Sequence, residues 1–373
     1  MSIILISDLN PSFLKTLANK SYIIYKGCGI GMHGDENEVK FKERIKLMKA
    51  ARINGPKQFE ILEMDTPELI DGDCLIKLES WSICGSDIRH AYGPIHPEED
   101  YPMKVGGPCH ECAGTIVESR SDKFKEGDRV IVLPSATSTG GFVEYITGNP
   151  SRMAALPQHG DLADWLMCQP SGTVLYSCQQ MGSILGKRVL IMGQGAIGLS
   201  FTAVCARAGA RQVIAVDLFD YRLEYSKRFG ATHTINPTKE NLDELVADIT
   251  GGEMPDISVE AAGYPDTLNN VLRLVKQFGK VIVFGMQENA AEGAKIPLET
   301  RWLMQNTPTV IPTTGARSGD PISHIENMIA LKDRGWWNPA EMITHNLKFD
   351  DVGVAYDMYE NRKDNIVKVV LSI

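Results

Sequence analysis

The chain has 373 residues, of which 43% are apolar and 23% are charged, a composition typical of soluble globular proteins with room for two domains. Its formal net charge of −9 argues against a nucleic-acid-binding surface, and no apolar run is long enough to span a membrane. The eight cysteines are irregularly spaced, which in a chain of this size favours reduced thiols and a cytoplasmic protein over a disulfide framework.

The first segment, residues 1–47, precedes the first recognisable domain. Four glycines punctuate it between Gly27 and Gly34, and a charged stretch follows. We interpret the segment as an accessory extension, because terminal segments with this pattern are often poorly tied to a core. An oligomer contact or an active-site flap is the alternative, and the sequence leaves it open.

Short strands and turns dominate the next part of the chain, residues 48–160. Many short strands broken by glycine and proline are typical of a small β-barrel. The predicted strands are 58–64, 74–80, 114–119, 129–133 and one that opens at 140–145.

Two short segments of this barrel carry residues with metal-binding chemistry. Cys84 opens the first of them, and His110 with Glu111 forms the centre of the second. A thiolate, an imidazole and a carboxylate from separate loops form the kind of ligand set that an open catalytic zinc site uses. Taken singly, Cys84 is better explained as a small buried apolar residue, and His110-Glu111 as a surface pair. Their combination favours a metal site.

A dinucleotide-binding signal lies between Gly186 and Asp217. The apolar run 189–192 is typical of a parallel strand buried on both faces, and the pattern G-x-G-x-x-G follows it directly. A helix is predicted from there to about residue 208, and its first N–H groups point at a pyrophosphate. The residues assigned to the pyrophosphate turn are Gly193, Gly195, Ala196, Ile197 and Gly198.

A second strand, 213–216, ends at Asp217, about twenty residues beyond the glycines. A carboxylate at this position accepts hydrogen bonds from the adenine ribose and repels a 2′-phosphate, so the sequence favours NAD over NADP. Arg222 follows five residues later. It is assigned either to the ribose or to a solvated helix surface, and the sequence does not decide between them.

Strands and helices alternate through the rest of this region, which predicts a doubly wound parallel sheet. We place this Rossmann domain at residues 161–308. From about residue 309 the chain is expected to return to the barrel domain, with a helix at 322–333 and a final strand at 366–371. The active site is then expected in the cleft between the two domains.

At this point the sequence resembles a family, the medium-chain, zinc-dependent alcohol dehydrogenases, and most closely its sorbitol and threonine dehydrogenase-like branch. The resemblance covers about residues 48–373. It implies an α/β protein with a GroES-like β-barrel catalytic domain and a Rossmann domain. The motifs that carry it are Cys84-Gly-Ser-Asp87, His110-Glu-Cys-Ala-Gly114, Gly127-Asp-Arg-Val130, Gly141-Phe-Val-Glu-Tyr145, Gly193 to Gly198, Glu260-Ala-Ala-Gly263 and Val367-Lys-Val-Val-Leu371.

The resemblance also implies roles at matching positions. Cys84 and His110 match zinc ligands, and Glu111 matches a carboxylate that binds the zinc or lies beside it. Asp87 matches an acid that orients the histidine ligand, and Ser86 matches the hydroxyl that takes the substrate proton. The positions that match the nicotinamide side of the cofactor site are Thr173, Gly285 and Met286.

Three departures from the family pattern stand out. The four-cysteine lobe that holds a structural zinc is missing, so no structural zinc is expected. Gln169 stands where relatives have a glutamate or a cysteine, and Cys168 is an alternative ligand if the loop shifts. The usual proton-exit histidine position holds Arg89, so we assign the relay to the adjacent His90, with an exposed loop histidine as the alternative.

Together these observations predict NAD-dependent oxidation of a secondary hydroxyl on a polar small molecule such as a polyol, sugar, cyclitol or amino alcohol, with zinc as the metal. A homodimer or homotetramer is expected, associated through the strand Lys280 to Phe284 and the segment after it. Two alternatives remain: a metal-independent enone or quinone reductase of the same fold, and a non-catalytic NAD-binding protein with a decayed metal site.

Overall fold

The computed structural model describes residues 47–135, 138–285, 295–315 and 318–373. Of the expected accessory extension, only Leu47 lies within these ranges, and Met286 lies outside the described residues. No helix in the described part of the chain is long and apolar enough to cross a membrane.

The first layer is a seven-stranded, mostly antiparallel sheet accompanied by a two-stranded hairpin. The hairpin consists of β1 (Leu47–Gly55) and β2 (Gln58–Asp65). The sheet runs in the order β14-β15-β3-β4-β5-β7, with β6 paired to β3. Its strands are β3 (Cys74–Ser82), β4 (Glu111–Ser119), β5 (Arg129–Val132), β6 (Tyr145–Gly148), β7 (Met153–Leu156), β14 (Ile343–Lys348) and β15 (Lys368–Ser372).

The second layer is a six-stranded parallel sheet in the order β10-β9-β8-β11-β12-β13. Every residue of its first strand, β8, is buried, as the unbroken apolar run predicts for a strand covered on both faces. The strands are β8 (Arg188–Met192), β9 (Gln212–Val216), β10 (His233–Ile235), β11 (Ile257–Glu260), β12 (Lys280–Val283) and β13 (Thr309–Pro312).

Helices cover both faces of the parallel sheet and join it to the antiparallel one. Their ends follow local sequence rules: Asn241 accepts N–H bonds at the start of one helix, and Gly251 ends the same helix with a φ of 65°. The helices are α1 (Leu162–Leu166), α2 (Cys168–Gln180), α3 (Ala196–Arg207), α4 (Asp220–Phe229), α5 (Leu242–Thr250), α6 (Pro265–Arg273), α7 (Thr300–Asn306), α8 (Pro321–Asp333) and α9 (Val352–Glu360).

The parallel sheet begins at the strand that the sequence predicted and contains one strand more than predicted, β13. Helix α1, just after the expected start at residue 161, packs against β3 and β4 of the antiparallel sheet. Strand β13 pairs with β12 in parallel, so the sheet extends past the expected boundary at residue 308. Residues 309–312 therefore belong to the parallel sheet, and the domain start at residue 161 stays a prediction.

This pairing also corrects the expected association strand. Strand β12 is bonded to β11 on one side and to β13 on the other, so Lys280 to Phe284 offers no free edge. The outer strand of this sheet at that end is β13.

A cleft of about 950 Å³ opens between the two layers. The loops after β3 and before β4 border it from the antiparallel sheet, and the carboxyl ends of β8, β9 and β11 border it from the parallel sheet. In doubly wound sheets the crevice beyond the carboxyl ends of the strands is the usual place for ligands. The fold therefore places the expected ligand site in this cleft.

Candidate metal and dinucleotide site

Three metal-ligating side chains meet at one wall of the cleft. Atoms of Cys84, His110 and Glu111 lie within 4.8 Å of one another, and in the described residues no other group of three such side chains does so. Cys84 follows the end of β3, and Glu111 is the first residue of β4. The β3–β4 register places Ser82 opposite Glu111, which brings the two chain segments together.

The structure differs from the sequence-based view of Glu111. The sequence predicted that β4 begins at Gly114, with Glu111 on a loop. In the structure β4 begins at Glu111, whose side chain is only 1% exposed. Because a strand position fixes the direction of the side chain, the carboxylate is held more firmly than a loop would hold it.

Asp87 orients the histidine. Its side chain is 2% exposed, and its Oδ1 lies 3.0 Å from Nδ1 of His110. Its Oδ2 accepts the hydroxyl of Tyr356 and the backbone N–H of Cys84, both at 3.1 Å. Burial, followed by the nearby Asp87 carboxylate, raises the pKa of Tyr356 well above its usual range, so the phenol remains a donor. Asp87 therefore leaves Nε2 of the imidazole to face the cleft.

The electrostatic surroundings of His110 favour positive charge. Burial by itself lowers the pKa of His110, but the charges of Asp87 and Cys84 outweigh burial and raise this pKa well above its usual range. Surroundings that stabilise an added proton also stabilise a divalent cation bound to the neutral imidazole. The donor set, a thiol, an imidazole and a carboxylate, is one that suits Zn²⁺.

Glu111 belongs to a buried ion pair. Its Oε2 lies 2.7 Å from Nζ of Lys368 and also accepts the hydroxyl of Ser82. Lys368, 2% exposed, also donates to the carbonyl of Ile83 at 2.6 Å. Burial raises the pKa of Glu111, but Lys368 and His110 outweigh it and lower this pKa below its ordinary value. The glutamate is therefore ionised and held in place beside the cluster.

Gln169 completes the cluster. It lies in the first turn of α2, lines the cleft and is 6% exposed. Its Oε1 is buried without a hydrogen-bond partner in the described part of the chain. A buried carbonyl oxygen without a partner is costly, and a bound cation or ligand would satisfy it. The residues present therefore fit a zinc ion.

The alternative ligand, Cys168, does not reach the cleft. Its side chain is fully buried and does not line the cavity. Burial raises the pKa of the Cys168 thiol to about 12, so it stays protonated. The one-residue offset along α2 directs the two side chains differently, and of the two only Gln169 lines the cleft.

Ser86 lies beside the cluster, whereas His90 does not. The Ser86 hydroxyl is 3.2 Å from Sγ of Cys84, and the residue lines the cleft. His90 is exposed and does not line the cleft, whereas its neighbour Arg89 does and donates to the carbonyl of Ala262 at 2.9 Å. The helical turn at Ile88–Tyr92 places His90 on its exposed side, and the assignment of His90 as a relay stays a prediction.

The glycine-rich turn has the geometry that a pyrophosphate site needs. Gly193 has a φ of 91°, which only glycine adopts easily, and a Cβ at Gly198 would lie 1.8 Å from the carbonyl of Gly193. A Cβ at Gly195 would meet no described atom within 4 Å, so this position borders open space. Gly195, Ala196 and Ile197 line the cleft at the start of α3. The turn leaves room for a ligand where the helix N–H groups point.

Asp217 and Arg222 lie side by side at the cleft. Asp217 is 7% exposed and accepts backbone N–H groups from Gln194 at 2.6 Å and Phe219 at 3.0 Å. Arg222 lines the cleft, with a guanidinium nitrogen 3.7 Å from Oδ2 of Asp217. Arg222 therefore does not lie on a solvated helix surface, and the assignment of both residues to the adenine ribose stays a prediction.

Two of the remaining cofactor assignments also belong to the cleft. Thr173 and Gly285 both line it, and a Cβ at Gly285 would lie 2.1 Å from Oε2 of Glu260. The backbone at Gly285 thus passes close to a buried carboxylate, which excludes any larger residue. Cys84 and His110 line the same cleft.

The sequence did not identify two residues that support the metal cluster, Lys368 beside Glu111 and Tyr356 beside Asp87. Lys368 had a visible signal, because it interrupts the apolar run 366–371 and a lysine in a buried strand needs a partner. Tyr356 had none, because its contact with Asp87 joins residues 269 positions apart.

Comparison with known proteins agrees with this architecture. A family model described as Alcohol dehydrogenase GroES-like domain matches residues 70–175, and one described as Zinc-binding dehydrogenase matches residues 196–332. The chain is 30% identical over 288 residues to sorbitol dehydrogenase of Bacillus subtilis, which covers 69% of this chain and 80% of that protein. It is also 30% identical over 359 residues to L-threonine 3-dehydrogenase of Shewanella loihica, covering 87% and 99%.

A solved structure shows the same arrangement. It is an Escherichia coli oxidoreductase/dehydrogenase of unknown specificity, 26% identical, which superimposes with a TM-score of 0.77 over 87% of this chain and 99% of that one. A GroES-like layer, a Rossmann layer and a cysteine–histidine–glutamate cluster between them define a zinc-type dehydrogenase. The chain belongs to the medium-chain, zinc-dependent alcohol dehydrogenase family and is an oxidoreductase that acts on CH–OH groups with zinc and NAD(P).

Proposed function

We propose that this enzyme oxidises a secondary hydroxyl of a polar small molecule, such as a polyol, sugar, cyclitol or amino alcohol, with NAD as the hydride acceptor. The reaction converts a CH–OH group and NAD⁺ to a carbonyl group, NADH and a proton. The observation that carries the proposal is the cluster of Cys84, His110 and Glu111 at the end of a dinucleotide cleft.

In this proposal Cys84, His110 and Glu111 hold the metal, and the unpartnered Oε1 of Gln169 faces it. When bound, zinc supplies Lewis acidity that lowers the pKa of the substrate hydroxyl. The hydrogen bond from Asp87 fixes the orientation of the imidazole, and Lys368 keeps the buried Glu111 carboxylate charged. A neutral glutamine is a weaker ligand than a glutamate, so we expect one zinc per chain, held less tightly than by a full anionic set.

Ser86 is the group proposed to take the substrate proton. Its hydroxyl lies beside Cys84 and faces the cleft, where an alcohol bound at the cluster would meet it. Since His90 is outside the cleft, the proton passes from Ser86 toward solvent along the open cleft. The glycine turn and Thr173 would hold the dinucleotide in the cleft, and a bound nicotinamide would accept the hydride.

The substrate class is supported by the relatives. By their names, the two relatives act on a polyol, sorbitol, and on a hydroxy amino acid, threonine. Both carry a secondary hydroxyl flanked by polar groups. A panel of such alcohols, tested with NAD and with the zinc-loaded protein, examines the proposal directly. Absence of NADH formation with every member of the panel would refute it.

Cofactor choice gives the first specific prediction. The protein should bind NADH roughly 10- to 100-fold more tightly than NADPH, because the buried Asp217 carboxylate repels a 2′-phosphate. Asp217→Asn should reduce this ratio to within a few-fold, mostly by improving NADPH binding. Titration of both cofactors by fluorescence measures the ratio.

Asp220→Asn is the matched control for that experiment. Asp220 is an exposed acid three residues along the same segment, paired with Lys239 and outside the cleft. Its substitution removes the same charge and should leave the ratio unchanged. Equal affinity of the wild-type protein for both cofactors would show that Asp217 does not select between them.

Assembly gives the second prediction. We propose a homodimer or homotetramer that associates along β13, the outer strand of the parallel sheet. Val310 of this strand is 41% exposed, and the nearby Phe278 and Met304 are 73% and 78% exposed, so an apolar surface flanks a strand edge. Light scattering at micromolar concentration should give the mass of two or four chains, and Val310→Lys should shift it toward one. A monomeric wild-type mass would refute this assembly.

A further inference from the structure

Arg152 is a cation that lines the cleft and that the proposed mechanism does not use. Strand β5 lies between β4 and β7, and its Val132 is opposite Cys112 on one side and Met153 on the other. The residues next to these three on their chain segments are Glu111, Leu133 and Arg152. The N–H of Leu133 donates to the carbonyl of Arg152 at 2.9 Å. Arg152 is therefore level with the metal cluster, two strands or about 10 Å away along the sheet.

The side chain of Arg152 is held in one orientation. Its Nε donates to the carbonyl of Leu133 and its Nη2 to the carbonyl of Pro134, both at 2.9 Å. All three residues line the cleft. Two hydrogen bonds to fixed backbone carbonyls restrict the guanidinium, so it is prepared for a ligand without further loss of side-chain entropy.

The charge of Arg152 has no counterion in the described part of the chain. Two other cations at or beside this cleft have acidic partners: Lys368 pairs with Glu111, and Arg222 lies near Asp217. Arg152 contacts only neutral carbonyls, and its Nη1 has no acceptor among the described residues. A guanidinium keeps its charge at every physiological pH, and a partly buried one normally has an anionic partner.

We propose that Arg152 binds an anionic group of the substrate, so that the alcohol this enzyme oxidises carries a carboxylate or a phosphate a few carbon atoms from the reacting hydroxyl. Both groups offer paired oxygens that match a guanidinium. The inference rests on the proposed dehydrogenase function and narrows its substrate class. The cofactor phosphates do not account for Arg152, because the glycine turn at Gly193 to Gly198 belongs to the other layer of the cleft.

The test compares three sets of secondary alcohols on the zinc-loaded, full-length protein at saturating NAD: neutral polyols, sugar acids and polyol phosphates. We expect kcat/KM to be higher for one acidic set than for the neutral polyols of the same length. Arg152→Gln should lower kcat/KM for that set on the order of 10- to 100-fold, mainly through KM, because a charge-assisted hydrogen bond is lost. The same variant should leave the neutral polyols within a few-fold.

Arg129→Gln is the matched control. Arg129, on the neighbouring strand β5, donates to the carbonyls of His159 and Gly160, and it does not line the cleft. Arg129→Gln removes the same charge and a similar pair of hydrogen bonds to backbone carbonyls, and it should leave the substrate preference unchanged. Arg152→Lys keeps the charge and should recover part of the acidic-substrate activity.

The outcomes separate the possibilities. The inference is overturned if the wild-type protein prefers neutral polyols, or if Arg152→Gln lowers kcat/KM equally for neutral and acidic alcohols. Arg152 then has only a structural role at the strand ends, and the dehydrogenase proposal stands. If no alcohol of any set is oxidised, the proposed function itself fails. If Arg152→Gln does not fold, the wild-type preference still decides, and the active acidic set identifies carboxylate or phosphate.

Discussion

Replacing Cys84 by serine should remove zinc and activity together. Cys84 contributes the only thiol among the three clustered ligands, and serine is a far weaker ligand for Zn²⁺. The loss of Lewis acidity should lower turnover by at least about 1,000-fold, since a metal of this kind contributes several kcal/mol to the transition state. Elemental analysis of the purified variant, combined with NADH formation from an active alcohol, measures both effects.

Cys168→Ser is the control for that substitution. Cys168 is buried next to Gln169 but does not line the cleft, so its variant should retain both zinc and turnover. If zinc content falls in Cys168→Ser but not in Cys84→Ser, the zinc ligand is Cys168 and not Cys84. A wild-type protein that turns over at full rate after chelation, with no zinc detected, would show that the metal is not used.

The dinucleotide half of the site was predictable from sequence because its signals are local. The strand β8, the turn at Gly193 and the helix α3 follow one another within about twenty residues, and the structure shows a steric reason for glycine at Gly193 and Gly198. Asp217 lies at the end of the next strand, where the spacing placed it. Chain connectivity alone brings these residues together, so a pattern read along the chain is sufficient.

The metal half was predictable only in part. Cys84 and His110 were found as residue types in a suggestive order, but the support of the site depends on strand register and on contacts between distant segments. Lys368 reaches Glu111 from β15, and Tyr356 reaches Asp87 from α9. No pattern along the chain encodes which residues these side chains will meet.

Local geometry accounts for features that the sequence left open. His90 adjoins the family position, and the structure places it on the exposed side of a helical turn, whereas Arg89 lines the cleft. Cys168 and Gln169 were both candidate ligands, and one step along α2, which rotates a side chain by about 100°, leaves only Gln169 at the cleft. The sequence did not predict the strand at 309–312. Its pairing with β12, and not a pattern in its own residues, makes it part of the sheet.

Replacing Lys368 by methionine should destabilise the protein strongly. Lys368 and Glu111 are 2% and 1% exposed, and their 2.7 Å ion pair joins β15 to the first residue of β4. Methionine fills a similar volume but leaves the carboxylate buried with only Ser82 as a partner. Breaking a buried ion pair from one side costs about 3–5 kcal/mol of the free energy of unfolding. Thermal unfolding of the metal-free protein should show a loss of several degrees in Tm.

The double variant Lys368→Met with Glu111→Gln distinguishes a coupled pair from two independent contacts. It should recover part of the stability lost in Lys368→Met, because no charge is then left buried without a partner. Lys77→Met, a partly exposed lysine on the adjacent strand β3, is the matched control and should change Tm little. Because Lys368 also holds the carbonyl of Ile83, next to Cys84, Lys368→Met should in addition weaken zinc retention. An unchanged Tm in Lys368→Met, or strictly additive effects in the double variant, would show that this ion pair does not support the site.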